Sequence, residues 1–452
     1  MAERGAIIEL IALVRLHREG DVAEKLEEMA VQDIADAMSE LDPEERIQLL
    51  RALPAERSTD TFSYLSPGLQ REVIDNLEQN EARRVLGQMV PDDRTAFLES
   101  LEPEDLENFL KLLNPDDLKQ SLKLLGYPEE SIGRLMTPRF VAVRPSWTVA
   151  RALDHIRHEA HRGETINFVF VTDERGRLLD AVKLKDFILA RQDARVESLM
   201  TEEFYSIQAS ADREEGVQVI QRYDINTLAV TDKHGVMLGI VTVDDIMDVA
   251  ELETTEDFQK LGGTGSLNIS VREAKPGFLY RKRIGWLMIL VLVNLISALT
   301  IAVFEDAIEA VIALVMFLPL IIASAGNAGS QSATLMVRAL ATGDVELKDW
   351  LRLWGKEFSV ALALGLTMAL AVSLIGIWRG GAELAWVVGL AMLAVVIMGA
   401  MIGMLLPFIL QRLNMDPAMA STPLITSVAD VLGILIYFSI ASAILTLPSP
   451  VT

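Results

Sequence analysis

Apolar positions change their spacing three times along this chain of 452 residues. From residue 5 to 128 they recur at helical spacing in short blocks. Pro43, Pro67, Pro91, Pro103 and Pro115 open these blocks at intervals of 24, 24, 12 and 12 residues, in phrases such as "LDPEER", "LEPEDL" and "LNPDDL". Proline suits the first helical turn, and Asp42, Ser66 and Asn114 just before it are N-capping types. Acidic residues then fall at the positive helix end. The pattern predicts an all-α superhelical N-domain over 5–128, of either hand. Beyond it, strand-like and helix-like runs alternate. "LMTPRFVAV" from Leu135 is echoed by "LMTEEFYSI" from Leu199, and "FVFVTDERGRLLDAVKLKDFI" by "TLAVTDKHGVMLGIVTVDDIM". Each copy reads strand, helix, strand, glycine turn (Gly176, Gly235), strand, helix, which predicts two α/β modules over 136–198 and 199–253. An acidic helix and glycine-bearing linker follow over 244–270. Five apolar runs close the chain: 284–304, 310–337, 357–378, 384–410 and 421–447. Each is long enough to cross about 30 Å of hydrocarbon, so an all-α polytopic membrane domain of five transmembrane helices is expected over 278–448.

Charge sharpens this division. Residues 271–452 carry 11 basic and 11 acidic side chains, so the net charge of −23 belongs wholly to residues 1–270. An acidic head on a neutral apolar body favours cations as partners and disfavours nucleic acid. With no cysteine, disulfides and thiolate metal sites are excluded. The N-terminal stretch is amphipathic and lacks the continuous apolar core of a signal peptide. Basic residues flank one side of the apolar runs: Arg281, Lys282 and Arg283, then Arg338, Lys348, Arg352 and Lys356, then Arg412. The other side has Arg379 against Glu305, Asp306, Glu309 and Glu383. The positive-inside rule then places the N-terminus in the cytosol and, after five crossings, Thr452 outside.

Asp430 is the one ionisable residue well inside the apolar runs, and a carboxylate at that depth is costly unless it faces a bundle interior or a water path. Polar residues join it in two places. "FLPLIIASAGNAGSQSATLMV" holds Asn327 and Gln331 behind Pro319, and Pro423 in "DPAMASTPLITSVAD" is expected to free a backbone carbonyl near Thr422 and Thr426. Freed backbone groups are tolerated where they line a cavity, while Gly326 and Gly329 also suit close helix packing. All five histidines precede Gly235, so the oxygen donors of the spans suit a hard cation. One carboxylate cannot strip Mg2+ of its water, which predicts a hydrated cation held by Asp430 from two subunits. The acidic run Asp244, Asp245, Asp248, Glu251, Glu253, Glu256 and Asp257 reads as a solvated face or as one neutralised by a cation.

The paired modules resemble tandem cystathionine-β-synthase (CBS) domains. In that family a Gly-x-x-Thr-x-x-Asp signature binds a nucleotide ribose. Gly239, Thr242 and Asp245 match it in the second module, which makes ATP at CBS module 2 a candidate ligand; Lys183 replaces the threonine in the first. The order of parts, with "GNAGSQSATLMVRALATGD" and "DPAMASTPLITSVADVLGILIYF", resembles MgtE-type magnesium channels over essentially the whole chain. The resemblance implies a homodimer in a bacterial inner membrane that conducts Mg2+ along its axis with Asp430 as main ligand. It also implies gating by cytosolic Mg2+, bridging Asp60 and Asp92 of the N-domain, Glu214 and Asp224 of CBS module 2, Asp245, Asp248, Glu253, Glu256 and Asp257 of the connecting helix, and Asp416 before span five. This chain departs from the family pattern at Ala325 and Thr422, near the expected pore. An ion-coupled transporter is disfavoured because five spans do not divide into two inverted halves. A membrane-anchored nucleotide sensor has no use for Asp430. No nucleophile-and-base arrangement marks an enzyme, and His155, His158 and His161 read as solvent-facing on a charged helix.

Overall fold

The computed structural model describes residues 2–445 except 161, 162, 202, 268–270, 272 and 273. Thr452 and His161 therefore lie outside the described residues, as do parts of the expected 244–270 linker and the end of 278–448. The chain divides into two compact units, Met1–Glu251 and Leu252–Thr452.

The first unit begins with ten helices among the described residues, from Ala2–Arg15 to Pro115–Leu125. Every proline of the repeat is the first residue of a helix: Pro43–Ala52, Pro67–Asn76, Pro91–Glu99, Pro103–Leu110 and Pro115–Leu125. Asp42 and Glu45 form a capping box, and Asn114 accepts from the Asp117 N–H at 2.9 Å. The first helix packs on the third, the third on the fifth and the fifth on the seventh, while the fourth packs on the sixth and the eighth on the tenth. This gives two layers around a core that includes Leu10, Met38, Phe62, Leu86 and Phe97.

A second signal runs with the prolines at the same period of 24. Arg46, Gln70 and Arg94 each sit three residues after a repeat proline, and each donates to the carbonyl eight residues earlier, on Met38, Phe62 and Leu86 respectively. These bonds reach carbonyls in the last turn of the preceding helix, where acceptors outnumber intrahelical donors. Met38 O and Phe62 O also take the N–H of Leu41 and Leu65, at 3.3 and 3.2 Å. Arg94 is completely buried and also donates to Ser121 and Gln120 at 3.0 Å, with Asp117 at 3.3 Å as its counter-charge.

Two three-stranded sheets follow. β1 (Ala142–Val143) pairs parallel with β2 (Phe168–Thr172), which pairs antiparallel with β3 (Leu178–Lys183). The second copy repeats this order with β4 (Ser206–Gln208), β5 (Thr227–Thr231) and β6 (Met237–Thr242). Gly176 and Gly235 take φ near +79° and +78°, the left-handed turn conformation that glycine adopts without strain. The modules exchange reciprocal bonds there: Leu178 N–H to Gly235 O and Met237 N–H to Gly176 O, each 3.0 Å.

The helix Val243–Leu261 leads out of the second sheet. Four long apolar helices lie in the second unit among the described residues: Pro276–Ala302, Ala313–Ala341, Trp350–Arg412 and Thr422–Ile444. The third has 63 residues; drawn straight it would be about 95 Å long, three times the hydrocarbon thickness. It is not straight. Backbone angles leave the helical region at Gly380 and Gly381, and Ser373 Oγ donates to Ala385 O across the bend at 3.2 Å. A Cβ at Gly376 would lie 2.8 Å from Ala385 Cα, and one at Gly365 2.8 Å from Leu393 Cδ1, so the two arms run back along each other. The second and third apolar helices pack just as closely. A Cβ at Gly403 would meet the Gly329 carbonyl at 2.0 Å, and one at Gly399 the Ala325 carbonyl at 2.2 Å.

Replacing Arg94 by Met should lower the stability of the N-terminal helical layer by about 3 kcal/mol, because three acceptors and a half-buried carboxylate lose their donor. Arg46→Met, whose counter-charge Glu72 is partly exposed, should cost less. Thermal unfolding of the two variants followed by circular dichroism checks the order.

Candidate functional site

The second and last apolar helices meet where their small residues permit. A Cβ at Gly326 would lie 2.9 Å from Thr426 Cγ2, and one at Gly329 2.8 Å from Ile425 Cγ2. Gly326 and Gly329 thus serve packing, and the helix runs unbroken past Asn327. Their neighbours face elsewhere. Asn327, Gln331, Thr334 and Arg338 are all exposed at spacings of four, three and four residues, which puts a polar stripe on one helix face. Pro423 does not break its helix, contrary to the expectation from sequence. It is the second residue of Thr422–Ile444, where no intrahelical N–H is lost. Thr426 Oγ1 donates to the Pro423 carbonyl at 3.0 Å. Thr422, Thr426 and Asp430 follow at four-residue spacing on one face; Thr422 is exposed, Thr426 and Asp430 half-buried. No hydrogen-bond donor or cation pairs with the Asp430 carboxylate among the described residues.

A second group of carboxylates gathers in the first unit. Asp92 and Asp93 occupy the first turn of Pro91–Glu99, where the helix dipole favours anions. Asp92 Oδ1 is buried with no hydrogen-bond partner. Burial, then the charges of Asp245, Asp93 and Glu164, hold the Asp92 carboxyl well above the usual carboxylate range. Asp93 is raised by burial against a Ser63 hydrogen bond, with Asp244, Asp60 and Asp248 adding to the rise. Asp245 is pushed up to about 7 by burial, opposed by its hydrogen bond from Thr242 Oγ1 at 2.8 Å, with Asp244 and Asp93 adding to it. Five residues named from the sequence are thus brought into one field: Asp60, Asp92, Asp245 and Asp248 as expected ligands, and Asp244 as part of the acidic run. Asp93 and Glu164 join them and were missed; Asp93 adjoins a named residue in the chain, which was the available signal, and nothing local marked Glu164. Among the described residues no three His, Cys, Asp or Glu side chains converge closely enough to grip one ion directly. Carboxylates spaced in this way suit a cation that keeps its water, as Mg2+ commonly does.

Glu214 and Asp224 do not belong together. They lie at opposite ends of the helix Arg213–Tyr223, about 15 Å apart by helical rise, with Asp224 in the left-handed conformation at its C-cap. Asp224 instead lines a cavity of about 950 Å3 between the two modules, with Lys183, Lys185, Asp186, Tyr205, Tyr223 and Asn226. Lys183 and Asp186 are the first module's counterparts of Thr242 and Asp245. The second module's signature is occupied otherwise. A Cβ at Gly239 would meet Thr137 O at 2.6 Å, and Thr242 and Asp245 bond to each other at the start of Val243–Leu261, a local N-terminal cap. His155 is half-buried edge-on to Trp147, and His158 bonds its own helix through Asp154 O at 2.7 Å.

In the second unit, Lys260 Nζ lies 2.6 Å from Glu256 Oε1 and 2.5 Å from Asp416 Oδ2. Asp416 Oδ1 accepts from the Ala418 N–H at 2.8 Å. Asp257 is pushed up to about 6 by burial and then by Asp416, with Lys260 opposing. Glu253, half-buried, adds to the rise of Asp257 from one turn back along the helix.

Residues 318–440 match the model of a divalent cation transporter, MgtE; residues 29–130 match the MgtE intracellular N domain; and 132–193 and 196–251 match CBS domains. The chain is 38% identical to a magnesium transporter MgtE of Thermus thermophilus over 441 residues, covering 96% of this chain and 98% of the relative. It is 33% identical to a magnesium transporter MgtE of Bacillus subtilis over 438 residues, 97% of each. A solved structure of the cytosolic domain of the Mg2+ channel MgtE in complex with ATP superposes with a TM-score of 0.51 at 34% identity, covering 53% of this chain and 99% of that one. An acidic helical layer, paired CBS modules and an apolar helical body with a lone carboxylate, matched end to end by such relatives, place this chain in the MgtE family of divalent cation transporters.

Proposed function

We propose that this chain is a homodimeric, Mg2+-selective channel of the bacterial plasma membrane that imports Mg2+ and is closed by Mg2+ on its cytosolic side. The observation that carries the transport reading is Asp430, a half-buried carboxylate without a counter-charge on a helix face shared with Thr422 and Thr426. A hydrated divalent cation held between two such faces offsets the repulsion of two apposed carboxylates. The exposed stripe of Asn327 and Gln331 supplies oxygen for its waters, and a polar stripe is costly against lipid but not against water. The reversal at Gly380–Gly381 supports five crossings, with the basic flanks and the acidic head in the cytosol.

The closing reading rests on the unpaired charge in the first unit. Divalent cations shared among Asp92, Asp93, Asp244 and Asp245 favour the compact arrangement because they bind it more tightly than a separated one. Glu256, Asp257 and Asp416 extend the same logic to the membrane body, with Glu253, Glu214 and Asp224 as outlying carboxylates. The cavity between the CBS modules suits a nucleoside triphosphate such as ATP. Lys183 and Lys185 bring positive charge for phosphates, and the stacked rings of Tyr205 and Tyr223, 3.8 Å apart, present an aromatic face.

Asp430→Asn keeps the shape and removes the charge; Mg2+ uptake into proteoliposomes should fall by roughly tenfold or more. Uptake at the wild-type rate would remove the carboxylate from the pathway. Single-channel recording separates a channel from a coupled transporter, which would show turnover without unitary openings. Neutralising Glu256 and Asp257 together should leave openings persisting at high internal Mg2+, measured in excised patches.

The raised acids also predict a pH dependence. For Asp245 the folded-state value of about 7 lies above its ordinary 3.8, so ionisation costs stability. That cost is absent below about pH 4, grows through the interval and is complete above about pH 7. Without divalent cations, the full-length protein should therefore melt at higher temperature near pH 5.5 than at pH 8. Added Mg2+ should raise the melting temperature more at pH 8, and Asp245→Asn should flatten the difference. Differential scanning fluorimetry at the two pH values reads all three.

A further inference from the structure

The acidic run of the connecting helix contains no basic residue until Lys260, and the structure gives that lysine two partners. Glu256 lies one turn earlier on the same helix, the favourable orientation for a Glu–Lys pair. Asp416 lies 156 positions later, in the turn before the last apolar helix. Its Oδ2 faces the ammonium, while its Oδ1 is fixed by the Ala418 N–H. All three side chains are only partly exposed, with Lys260 at 28%, Glu256 at 22% and Asp416 at 34%, so water screens them less than it would a free surface pair.

The end of the helix is held in register around this contact. Gln259 accepts from Leu267 N–H through its side chain at 2.6 Å, and its carbonyl accepts from Thr264 N–H and Thr264 Oγ1 at 2.9 Å. Gly263 takes φ of +70° and sits against Trp286 and Pro423, with no room for a Cβ. The lysine therefore bridges two elements whose positions are set independently of it.

We infer that the Lys260 ammonium is a tethered cation occupying the junction between Glu256 and Asp416, and that a divalent cation reaches these two carboxylates only by displacing it. The inference rests on the reading that divalent cations act on the cytosolic side of this chain. An ammonium and a divalent cation use the same Glu256 Oε1 and Asp416 Oδ2 lone pairs, and the lysine's four-carbon stem lets it swing out without moving the helix. With Asp257 counted, three carboxylates and one ammonium leave two negative charges, so the junction still attracts a divalent cation while its lysine is in place. Competition of this kind sets the concentration at which the junction responds: the tethered cation raises the threshold and holds the two elements together below it.

Lys260→Met removes the charge while keeping length and helix propensity. Mg2+ binding to the full-length protein in lipid nanodiscs, measured by calorimetry, should tighten by roughly tenfold in this variant, from the charge removed beside the ion. The Mg2+ concentration that half-closes flux in proteoliposomes should fall by a similar factor. Lys260→Arg, which keeps a cation at the junction, should titrate like the wild type. Lys260→Gln repeats the measurement if the Met variant does not assemble. Unchanged or weakened binding in the neutral variants overturns the inference, because a mere structural clamp loosens the junction when removed. The two readings fail separately: a wild-type protein that carries no Mg2+ sinks the transport reading, while tightened binding to the neutral variant still upholds the role of Lys260.

Discussion

Removing a carboxylate from bulk water without giving it a counter-charge is unfavourable, and the architecture of this protein turns on where that is done. Three places share the constraint and resolve it differently. In the membrane body Asp430 is half-buried with no partner among the described residues. In the first unit Asp92 carries a buried, unbonded oxygen beside Asp93 and Asp245. At the end of the connecting helix, Glu256 and Asp416 have a lysine between them. In the reading proposed above the first two take a cation from solution, while the third already has one in Lys260. Elsewhere the N-domain satisfies its buried charge internally, as at Arg94, whose three nitrogens each find an acceptor.

Packing and chemistry use different faces of the same helices. On Ala313–Ala341 a methyl added at Gly326 would clash with Thr426 and one at Gly329 with Gly399 and Ile425, while the backbones of Ala325 and Gly329 leave no room for one at Gly399 or Gly403. Asn327 and Gln331, one and two positions away from those glycines, point to another side and stay exposed. Helical spacing makes this division of labour available: residues three and four apart share a face, and adjacent residues do not. Small-residue packing and an exposed polar stripe are therefore both present in one short stretch, each on its own side.

Much of the fold was legible in the chain. The prolines at period 24 and 12 marked helix starts because only the first helical turn tolerates a missing N–H. The paired α/β modules showed through their repeated phrases and their turn glycines. Less visible were contacts that depend on three dimensions. Arg46, Gln70 and Arg94 carry the same period as the prolines, yet differ in residue type, and their common role as donors to a carbonyl eight residues back emerges only when the helices stack. Of the carboxylates named from sequence, Asp60, Asp92, Asp245 and Asp248 come together, whereas Glu214 and Asp224 are held apart by the length of one helix. Thr242 and Asp245, read as two of the three residues of a nucleotide signature, bond to each other at a helix start. The cavity between the modules is lined by Lys183 and Asp186 of the first and Asp224 and Asn226 of the second.

By itself the sequence determined the elements, their order, the acidic head, the apolar body and the isolation of Asp430, since these follow from local spacing, backbone chemistry and the length needed to cross a bilayer. Tertiary structure decided which charges meet. Electrostatic cost depends on separation and burial, and neither is set by distance along the chain: Lys260 and Asp416 touch across 156 positions, while Glu214 and Asp224, ten residues apart, stand at opposite ends of one helix.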